Sequence, residues 1–253
     1  MIAQKTILVT GGASGIGFAI VQAILEQRWR VVVADVDPNN LARARETLSR
    51  DHALVHFEQM NVTNEDAVVK AIAKCEAEIG PLTSLVNSAG IGIDIPCLDT
   101  TTVLFRKIEE VNLVGSFVVA REAARCMRER GTGSIVNIAS VSGIRGNAGR
   151  VAYGASKAGV IAMTQVMAVE LASVGIRVNA IAPGPVETPL VRTMHTEQAR
   201  AAWMSLVPQH RYAAPLEIAG AAIFLLDESK SSFVTGQTIC VDGGFTAAGL
   251  IGT

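Results

Sequence analysis

Aromatic residues are scarce in this 253-residue chain: they make up 4 % of it, whereas hydrophobic residues make up 49 %. The core must therefore consist of small aliphatic side chains, which suits an α/β fold with a buried sheet between layers of helices. No sign of charge dominates either, because 22 Lys and Arg stand against 23 Asp and Glu. Such a balance gives no broad field to attract phosphate backbones or anionic lipid, so we expect neither nucleic acid nor a membrane as a partner.

Cysteine is sparse as well. The four cysteines form no C-x-x-C pair and have no histidine at metal-ligand spacing, so we expect no metal site and no disulfide framework. Free thiols are typical of a reducing compartment, and no basic leader with a cleavage site precedes the first apolar segment. We therefore expect a cytoplasmic protein. No apolar stretch is expected to reach the ~18 residues of a membrane span.

Short apolar runs alternate with helical patterns along the whole chain. Because several runs are apolar on successive residues, both faces of each strand should be covered. The pattern predicts an α/β fold with a doubly wound, seven-stranded parallel sheet and helices on both faces. No linker divides the chain, so residues 1–253 are interpreted as one domain, with a lid at about 184–211. The strands are expected at 6–10, 31–35, 53–57, 84–88, 134–138, 176–181 and 237–241, and the helices at 16–28, 64–79, 101–130, 151–174, 190–205 and 215–227.

A glycine-rich turn follows the first predicted strand. Glycines allow a tight turn and a close approach to a pyrophosphate, whose charge is favoured by the N-terminus of the next helix. The spacing differs from G-x-G-x-x-G, and an ordinary strand-to-helix turn is the alternative. The candidate dinucleotide-binding residues here are Gly11, Ser14, Gly15, Ile16 and Gly17.

Asp35 ends the second predicted strand, 18 positions after Gly17. A carboxylate at about this distance binds the adenosine ribose and repels a 2′-phosphate. Neither Val36 nor Asp37 is a cation that would attract that phosphate. These observations favour NAD over NADP. The alternative role of a helix cap before the next helix is assigned to Asp37.

Tyr153 and Lys157 are four residues apart in a predicted helix and therefore share one face. An ammonium ~4 Å from the phenol, at an effective dielectric of about 20, would favour the phenolate by roughly 4 kcal/mol. We therefore expect Lys157 to bring the pKa of Tyr153 down from its usual value of about 10 towards neutrality, where a general acid/base works best. Ser140, at the end of the fifth predicted strand, would orient the substrate oxygen. A surface lysine beside a half-buried tyrosine is the alternative.

Together these motifs resemble the short-chain dehydrogenase/reductase family, in its compact branch with the glycine pattern T-G-x-x-x-G-x-G. The resemblance covers nearly the whole chain and implies a Rossmann fold. It further implies that Tyr153 is the acid/base, that Lys157 lowers its pKa and binds the nicotinamide ribose, and that Ser140 polarises the reacting oxygen. Asn112 matches the family's fourth catalytic residue, which would hold a water connected to Lys157. A polar residue satisfying the backbone at a helix kink is the alternative for Asn112.

The same resemblance implies further cofactor contacts. Asn87-Ser88-Ala89-Gly90 resembles the family's N-N-A-G turn with one Asn replaced, and Asn61-Val62-Thr63 stands where the family has Asp-Val-Thr. For Asn61 a simple turn residue is the alternative. The segment 183–188 resembles the family's P-G segment beside the nicotinamide. The residues implied are Asn61, Val62, Asn87, Ala89, Gly90, Pro183, Gly184, Val186 and Thr188.

The sequence thus indicates an NAD-dependent oxidoreductase that transfers a hydride between the nicotinamide and a secondary alcohol or ketone. Three arginines near the site favour a polar substrate, such as a polyol, sugar or hydroxy acid, although solvent-facing loop arginines would look the same. A 3-oxoacyl-(acyl-carrier-protein) reductase is the first alternative, and a non-catalytic dinucleotide-binding redox sensor is a remote one. The resemblance implies a homotetramer that pairs the helices 101–130 and 151–174. Candidate substrate-pocket residues are Ser142, Arg145, Asn147, Arg150, 91–95, Arg192, Met194, His195 and Trp203.

Overall fold

The computed structural model describes residues 4–51 and 53–249. Its centre is one seven-stranded sheet in which all adjacent strands are parallel. The predicted fold class and all seven strands are confirmed, with ends that differ by up to two residues. The strands are β1 (Thr6–Thr10), β2 (Arg30–Asp35), β3 (Val55–Gln59), β4 (Ser84–Asn87), β5 (Gly133–Ile138), β6 (Ile176–Pro183) and β7 (Thr238–Val241).

The strand order is β3-β2-β1-β4-β5-β6-β7. The chain therefore reverses its direction across the sheet between β1 and β4, where Leu8 lies beside Leu85 in register. In open α/β sheets, ligands bind outside the carboxyl ends of the strands at such a reversal. This relationship fixes the position of the site described below.

Successive residues of one strand pack into different cores. Ile7 and Val9 contact one buried cluster, with helices on one face of the sheet, whereas Leu8 contacts the cluster on the other face. Since side chains alternate along a strand, both faces are covered by helices. This arrangement explains the continuous apolar runs in the sequence.

Several predicted helices are subdivided, and the one expected at 64–79 ends in a π-helical turn at Cys75–Ile79. The helix expected at 101–130 has a π-helical turn at Glu110–Val114, and the one expected at 190–205 is two helices. The helices are α1 (Gly15–Glu26), α2 (Pro38–Thr47), α3 (Glu65–Lys74), α4 (Thr102–Glu109), α5 (Gly115–Arg128), α6 (Val151–Leu171), α7 (Pro189–Met194), α8 (Glu197–Leu206), α9 (Pro215–Leu226) and α10 (Glu228–Ser231).

Helix α2 is absent from the helices expected from the sequence. Leu41 and Ala44 are the buried residues of this helix. Two buried apolar positions are too few to give the 3.6-residue periodicity by which a helix is recognised in a sequence. Its start could nevertheless be foreseen, because the Asp37 carboxylate accepts a hydrogen bond of 2.8 Å from the Asn39 N–H. The capping role assigned to Asp37 is confirmed.

The segment Val151–Val174, which contains α6, corrects one expectation. By length and composition it could cross a membrane, because its 18-residue window has a mean hydropathy of 1.3. A core helix of a soluble protein passes the same test. Here Val160 and Met167 pack against the sheet side, and Lys157 is buried on the same helix.

Candidate active site

A cleft of about 480 Å³ opens at the carboxyl ends of the strands. Most of the residues predicted for the site line it, whereas Gly17, Asn87 and Asn112 lie behind its wall. The cleft is therefore assembled from loops after several different strands. The predicted cofactor and catalytic residues in the lining are Gly11, Ser14, Gly15, Ile16, Asp35, Asn61, Val62, Ala89, Gly90, Ser140, Tyr153, Lys157, Pro183, Gly184, Val186 and Thr188.

The glycine turn between β1 and α1 allows close backbone packing. Gly11 has φ +59°, and a Cβ built on it would lie 2.8 Å from the Ala89 Cα. A Cβ on Gly17 would lie 2.2 Å from the Gly11 carbonyl oxygen. Gly17 thus supports the turn from below, while Gly11 and Gly15 form the wall of the cleft.

The N-terminus of α1 faces this cleft. Ser14 is the N-cap, and its side chain makes no capping hydrogen bond within the described residues. The first N–H groups of α1 are therefore available to an acceptor in the cleft, where the positive end of the helix favours an anion. Ser14, Gly15 and Ile16 fit a pyrophosphate on this observation.

Asp35 is buried at the end of β2 and holds the glycine turn in place. One carboxylate oxygen accepts a hydrogen bond of 3.2 Å from the Ala13 N–H, and the other accepts one of 3.1 Å from the Asp37 N–H. The carboxylate still reaches the cleft. This position suits recognition of a ribose next to the pyrophosphate.

The turn after β4 is attached to β1. The Thr10 hydroxyl accepts hydrogen bonds from the N–H groups of Ser88 and Ala89, at 3.1 and 3.2 Å. Asn87 points away from the cleft and donates to the Asn137 Oδ1 at 2.9 Å. Ser88, Ala89 and Gly90 are the lining residues of this turn.

Asn61 shows the geometry of a turn residue. Its Oδ1 accepts hydrogen bonds from the N–H and the hydroxyl of Thr63, at 3.1 and 3.0 Å. This is the alternative that the sequence left open. Both Asn61 and Val62 still border the cleft at its adenosine end.

Ser140 and Tyr153 meet on the opposite side of the cleft. Ser140 follows β5, and its hydroxyl accepts a hydrogen bond of 3.1 Å from the Ser142 N–H. The Ser140 hydroxyl is close enough to the phenol of Tyr153 to lower its pKa, and both residues line the cleft. The two hydroxyl groups can therefore bind one substrate oxygen together.

Lys157 lies one helical turn after Tyr153 and is 5 % exposed. Its ammonium donates a hydrogen bond of 2.8 Å to the Ile138 carbonyl oxygen and lies 5.8 Å from the centroid of the Tyr153 ring. Burial lowers the pKa of Lys157 to about 8. At neutral pH the side chain therefore remains largely cationic.

The expected cause of a low pKa at Tyr153 requires correction. The ring is half-buried at the cleft wall, and this burial raises the pKa of the phenol above its usual value. The Arg150 guanidinium opposes this effect most and the Ser140 hydroxyl opposes it next, while Asp94 raises the pKa further. The Lys157 ammonium, 5.8 Å from the ring centroid, affects this pKa less than these groups do.

Asn112 lies in the π-helical turn between α4 and α5 and is fully buried. Its amide accepts from the Ile91 N–H at 2.8 Å and donates to the Ile91 carbonyl oxygen at 2.9 Å. It also donates to the Ser156 hydroxyl at 3.0 Å. Asn112 thus connects the loop after β4 to α6, next to Lys157. This geometry matches the alternative given for Asn112, a polar residue that satisfies backbone groups at a break in a helix.

The segment 184–211 contributes several residues to the cleft lining. Val186 pairs with Ala213, and the Thr188 hydroxyl caps α7 by accepting from the Val191 N–H at 3.2 Å. Whether the segment closes as a lid stays a prediction. Among the candidate pocket residues, those in the lining are Ile91, Ser142, Arg150, Met194, His195 and Trp203.

Several candidate pocket residues, including 92–95, lie outside the cleft lining. Arg145 donates to the carbonyl oxygens of Phe245 and Ala248 in the C-terminal segment, Asn147 donates to the Ser142 hydroxyl, and Arg192 pairs with Glu187. Other lining residues were missed by sequence reasoning, although many directly follow strand ends, which was a usable signal. They include Val36, Asn40, Met60, Val111, Ile138, Ala139, Val141, Leu190 and Val191.

Comparisons with known proteins agree with this geometry. A family model described as enoyl-(acyl carrier protein) reductase matches residues 11–246. The chain is 39 % identical over 240 residues to a 3-oxoacyl-(acyl-carrier-protein) reductase of Thermotoga maritima, covering 95 % of this chain and 97 % of the relative. It is 38 % identical over 246 residues to a cis-4-hydroxycyclohexanecarboxylate dehydrogenase of Sinomonas cyclohexanicum, covering 97 % and 98 %.

A solved structure titled as ElxO with NADP bound superposes with a TM-score of 0.91 at 30 % identity, covering 97 % of this chain and all of that one. These matches extend over the sheet, the glycine turn and the tyrosine-lysine pair. The chain therefore belongs to the short-chain dehydrogenase/reductase family of nicotinamide-dinucleotide oxidoreductases.

Proposed function

We propose that the protein is an NAD-dependent oxidoreductase that transfers a hydride between the nicotinamide and a polar secondary alcohol or its ketone. The observation that carries this proposal is that Ser140 and Tyr153 line one cleft together with Lys157, which is buried one helical turn after Tyr153. These groups lie in the same cleft as the exposed N-terminus of α1 and the Asp35 carboxylate.

The chain's own residues handle the proton and the orientation of the substrate. In oxidation, Tyr153 takes the hydroxyl proton while Ser140 holds the oxygen with its own hydroxyl. Lys157 provides a positive charge fixed by its bond to the Ile138 carbonyl oxygen, which stabilises the phenolate. When bound, the nicotinamide supplies or accepts the hydride.

The preference for NAD depends on Asp35. Its carboxylate is fixed by two backbone N–H groups and faces the cleft, where it would repel a 2′-phosphate. The following residues, Val36 and Asp37, also line the cleft and carry no positive charge. One structurally similar protein was solved with NADP bound, so family membership does not decide between the two cofactors. The proposal of NAD therefore depends on these residues.

A polar substrate is supported by the far end of the cleft. Ser142, Arg150 and His195 bring polar groups to a wall that Met194 and Trp203 otherwise make apolar. One relative is named for a substrate that combines a ring hydroxyl with a carboxylate. Polyols, sugars and hydroxy acids are therefore the substrate classes to test first.

A 3-oxoacyl-(acyl-carrier-protein) reductase is the second candidate, because the relative from Thermotoga maritima has that name. That activity acts on an acyl thioester, and enzymes of this kind commonly use NADPH, against which Asp35 argues. NADPH oxidation with an acetoacetyl thioester compared with NADH formation from polar alcohols separates the two candidates. Efficient use of the thioester with NADPH would favour the second candidate.

The decisive experiment screens NAD reduction with a panel of polyols, sugars and hydroxy acids. Wild-type protein is expected to form NADH with at least one compound. Tyr153→Phe should lower kcat by roughly 100-fold or more, since general acid/base catalysis contributes about this much, while NADH binding measured by calorimetry stays intact. Near-normal turnover by Tyr153→Phe would show that the catalytic role is wrong.

We also propose a homotetramer. The outer faces of α5 and α6 expose apolar side chains that a lone subunit would leave in water: Phe117 is 41 %, Val166 is 56 % and Val169 is 80 % exposed. Clustered exposed apolar residues are typical of subunit contacts. Sedimentation equilibrium tests this, and a monomer would contradict it.

A further inference from the structure

Arg150 places a guanidinium at the substrate end of the cleft. It directly precedes α6, and its side chain turns inward until it is 13 % exposed. The guanidinium carbon lies 5.0 Å from the centroid of the Tyr153 ring, and the residue belongs to the cleft lining. A permanent cation therefore lies beside the candidate acid/base.

The guanidinium has part of its hydrogen-bonding capacity in reserve. Its Nε pairs with Asp94, and its Nη2 donates to the His195 Nε2 at 3.3 Å. Among the residues that the structure describes, Nη1 has no acceptor. The partner carboxylate, Asp94, is 41 % exposed. Water can therefore solvate this carboxylate when Arg150 binds another anion, and the loss of the ion pair costs little free energy.

His195 acts as a neutral support for this arginine. A guanidinium can only donate, so the His195 Nε2 must accept, and the proton is on Nδ1. Nδ1 then donates to the Tyr212 hydroxyl at 2.9 Å. Burial lowers the pKa of His195, Arg150 lowers it further and Asp94 acts against both. The histidine therefore orients Arg150 without competing for an anion as a second cation.

The other cation at this end of the cleft is already occupied. Lys157 donates to the Ile138 carbonyl oxygen and is 5 % exposed. An anionic group of the substrate would therefore be bound by Arg150, which can present two parallel N–H donors to a carboxylate. The protein's own Asp94 carboxylate already uses one of these donors.

We propose that Arg150, oriented by His195, forms a subsite for the carboxylate of a short hydroxy acid whose carbinol group is at Tyr153 and Ser140. The substrate carboxylate replaces Asp94 at the guanidinium. Because Arg150 is so close to the Tyr153 ring, few bonds can separate the two functional groups of the substrate. The proposal names the substrate class of the proposed dehydrogenase and rests on that function.

The test uses the complete protein saturated with NADH, so that a hydroxy acid binds without turnover. Calorimetric titrations compare 2-hydroxybutanoate, 3-hydroxybutanoate and gluconate, each paired with its primary amide. At least one acid is expected to bind roughly 10- to 100-fold more tightly than its amide, as a charged hydrogen-bonded pair allows. If no acid binds more tightly than its amide, the subsite is wrong.

Three variants separate recognition from a structural role. Arg150→Met should abolish the preference for the acid, whereas Arg150→Lys should keep part of it. Asp94→Asn should tighten acid binding, because a competing carboxylate is removed. If the pair of Arg150 and Asp94 is purely structural, Asp94→Asn should bind the acid more weakly instead. Weaker acid binding by Asp94→Asn, or an unchanged preference for the acid in Arg150→Met, would overturn the proposal.

Arg192→Met is the matched control. Its side chain is 69 % exposed and pairs with Glu187, outside the cleft lining, so the acid preference should not change. NADH binding by each variant shows that it is folded. If NADH binds and Tyr153 is needed for turnover of a neutral alcohol, a missing acid preference refutes the subsite alone. If NADH does not bind to wild-type protein, the proposed function itself fails.

Discussion

The guanidinium of Arg150 and the ring of Tyr153 are in direct contact, with 5.0 Å between the guanidinium carbon and the ring centroid. The Lys157 ammonium is slightly farther from the same centroid, at 5.8 Å. Two cations therefore flank one phenol. A positive charge near the ring favours the phenolate, so Arg150 shares the task that the sequence assigned to Lys157 alone.

The first prediction concerns the ionisation of Tyr153. Arg150 lowers the pKa of this phenol against the larger effect of burial, so Arg150→Met should move its titration to higher pH. The chain has two tyrosines, and Tyr212→Phe leaves Tyr153 as the remaining one. The near-ultraviolet absorbance of tyrosinate, followed during an alkaline titration in the Tyr212→Phe background, measures the effect directly.

Arg192→Met in the same background provides the control, because Arg192 pairs with Glu187 away from the phenol. An identical titration with and without Arg150 would contradict the electrostatic role. The matching kinetic expectation concerns alcohol oxidation, which needs the phenolate. The rise of kcat/KM with pH should therefore occur at higher pH in Arg150→Met.

The second prediction concerns cofactor choice. Asp35→Ala removes the carboxylate that faces the ribose position and should lower kcat/KM with NAD by roughly 10- to 100-fold, the value of a charged hydrogen bond. With NADP the loss should be smaller, because repulsion of the 2′-phosphate is also removed. Steady-state kinetics with both cofactors measures the ratio.

Asp37→Asn is the control for this ratio. Asn caps a helix as well as Asp does, so α2 should start normally and the ratio should change far less than in Asp35→Ala. A wild-type protein that uses NAD and NADP equally well would refute the carboxylate argument.

Much of the nucleotide half of the site could be predicted because its signals are local. The positive φ of Gly11 and the tight contact under Gly17 need glycine at fixed spacing, and Asp35 ends a strand of obvious apolarity. Each of these requirements involves residues that are close together in the sequence. A pattern of residue types is then sufficient to find them.

The substrate half could not be predicted to the same depth, because its contacts join distant segments. Arg150 meets Asp94 and His195 across 56 and 45 positions of sequence, and no local pattern encodes such pairs. The same reason explains Asn112, whose amide is used by the backbone of Ile91. Arg145 looked equally suited to the pocket, yet it binds the C-terminal segment.

The third prediction concerns assembly. Val169 is 80 % exposed on α6, so Val169→Lys should leave the fold of a single subunit intact. If α6 forms a subunit contact, the new lysine would be buried in that contact, and the tetramer should dissociate. Sedimentation equilibrium should then give a smaller mass than wild type. Leu98→Lys, at a residue 99 % exposed outside α5 and α6, is the control and should keep the wild-type mass. An unchanged mass in Val169→Lys would contradict pairing through α6.

The fourth prediction concerns the glycine turn. Gly17→Ala would place a Cβ 2.2 Å from the Gly11 carbonyl oxygen, and the rigid backbone on both sides cannot move apart cheaply. Forced overpacking of this kind lowers the free energy of unfolding by roughly 1–3 kcal/mol. For a chain of this size, Tm should fall by roughly 2–10 °C, and NADH should bind more weakly because the turn must shift.

Gly146→Ala is the matched control, since a Cβ there has no atom within 4 Å among the described residues. Scanning calorimetry and NADH titration should find no loss of Tm or of NADH affinity in this variant. The two glycines differ in what surrounds them, so the comparison isolates steric contact from the general effect of replacing glycine on the unfolded chain. Equal losses of Tm in both variants would show that the close contact under the turn does not determine the stability of this loop.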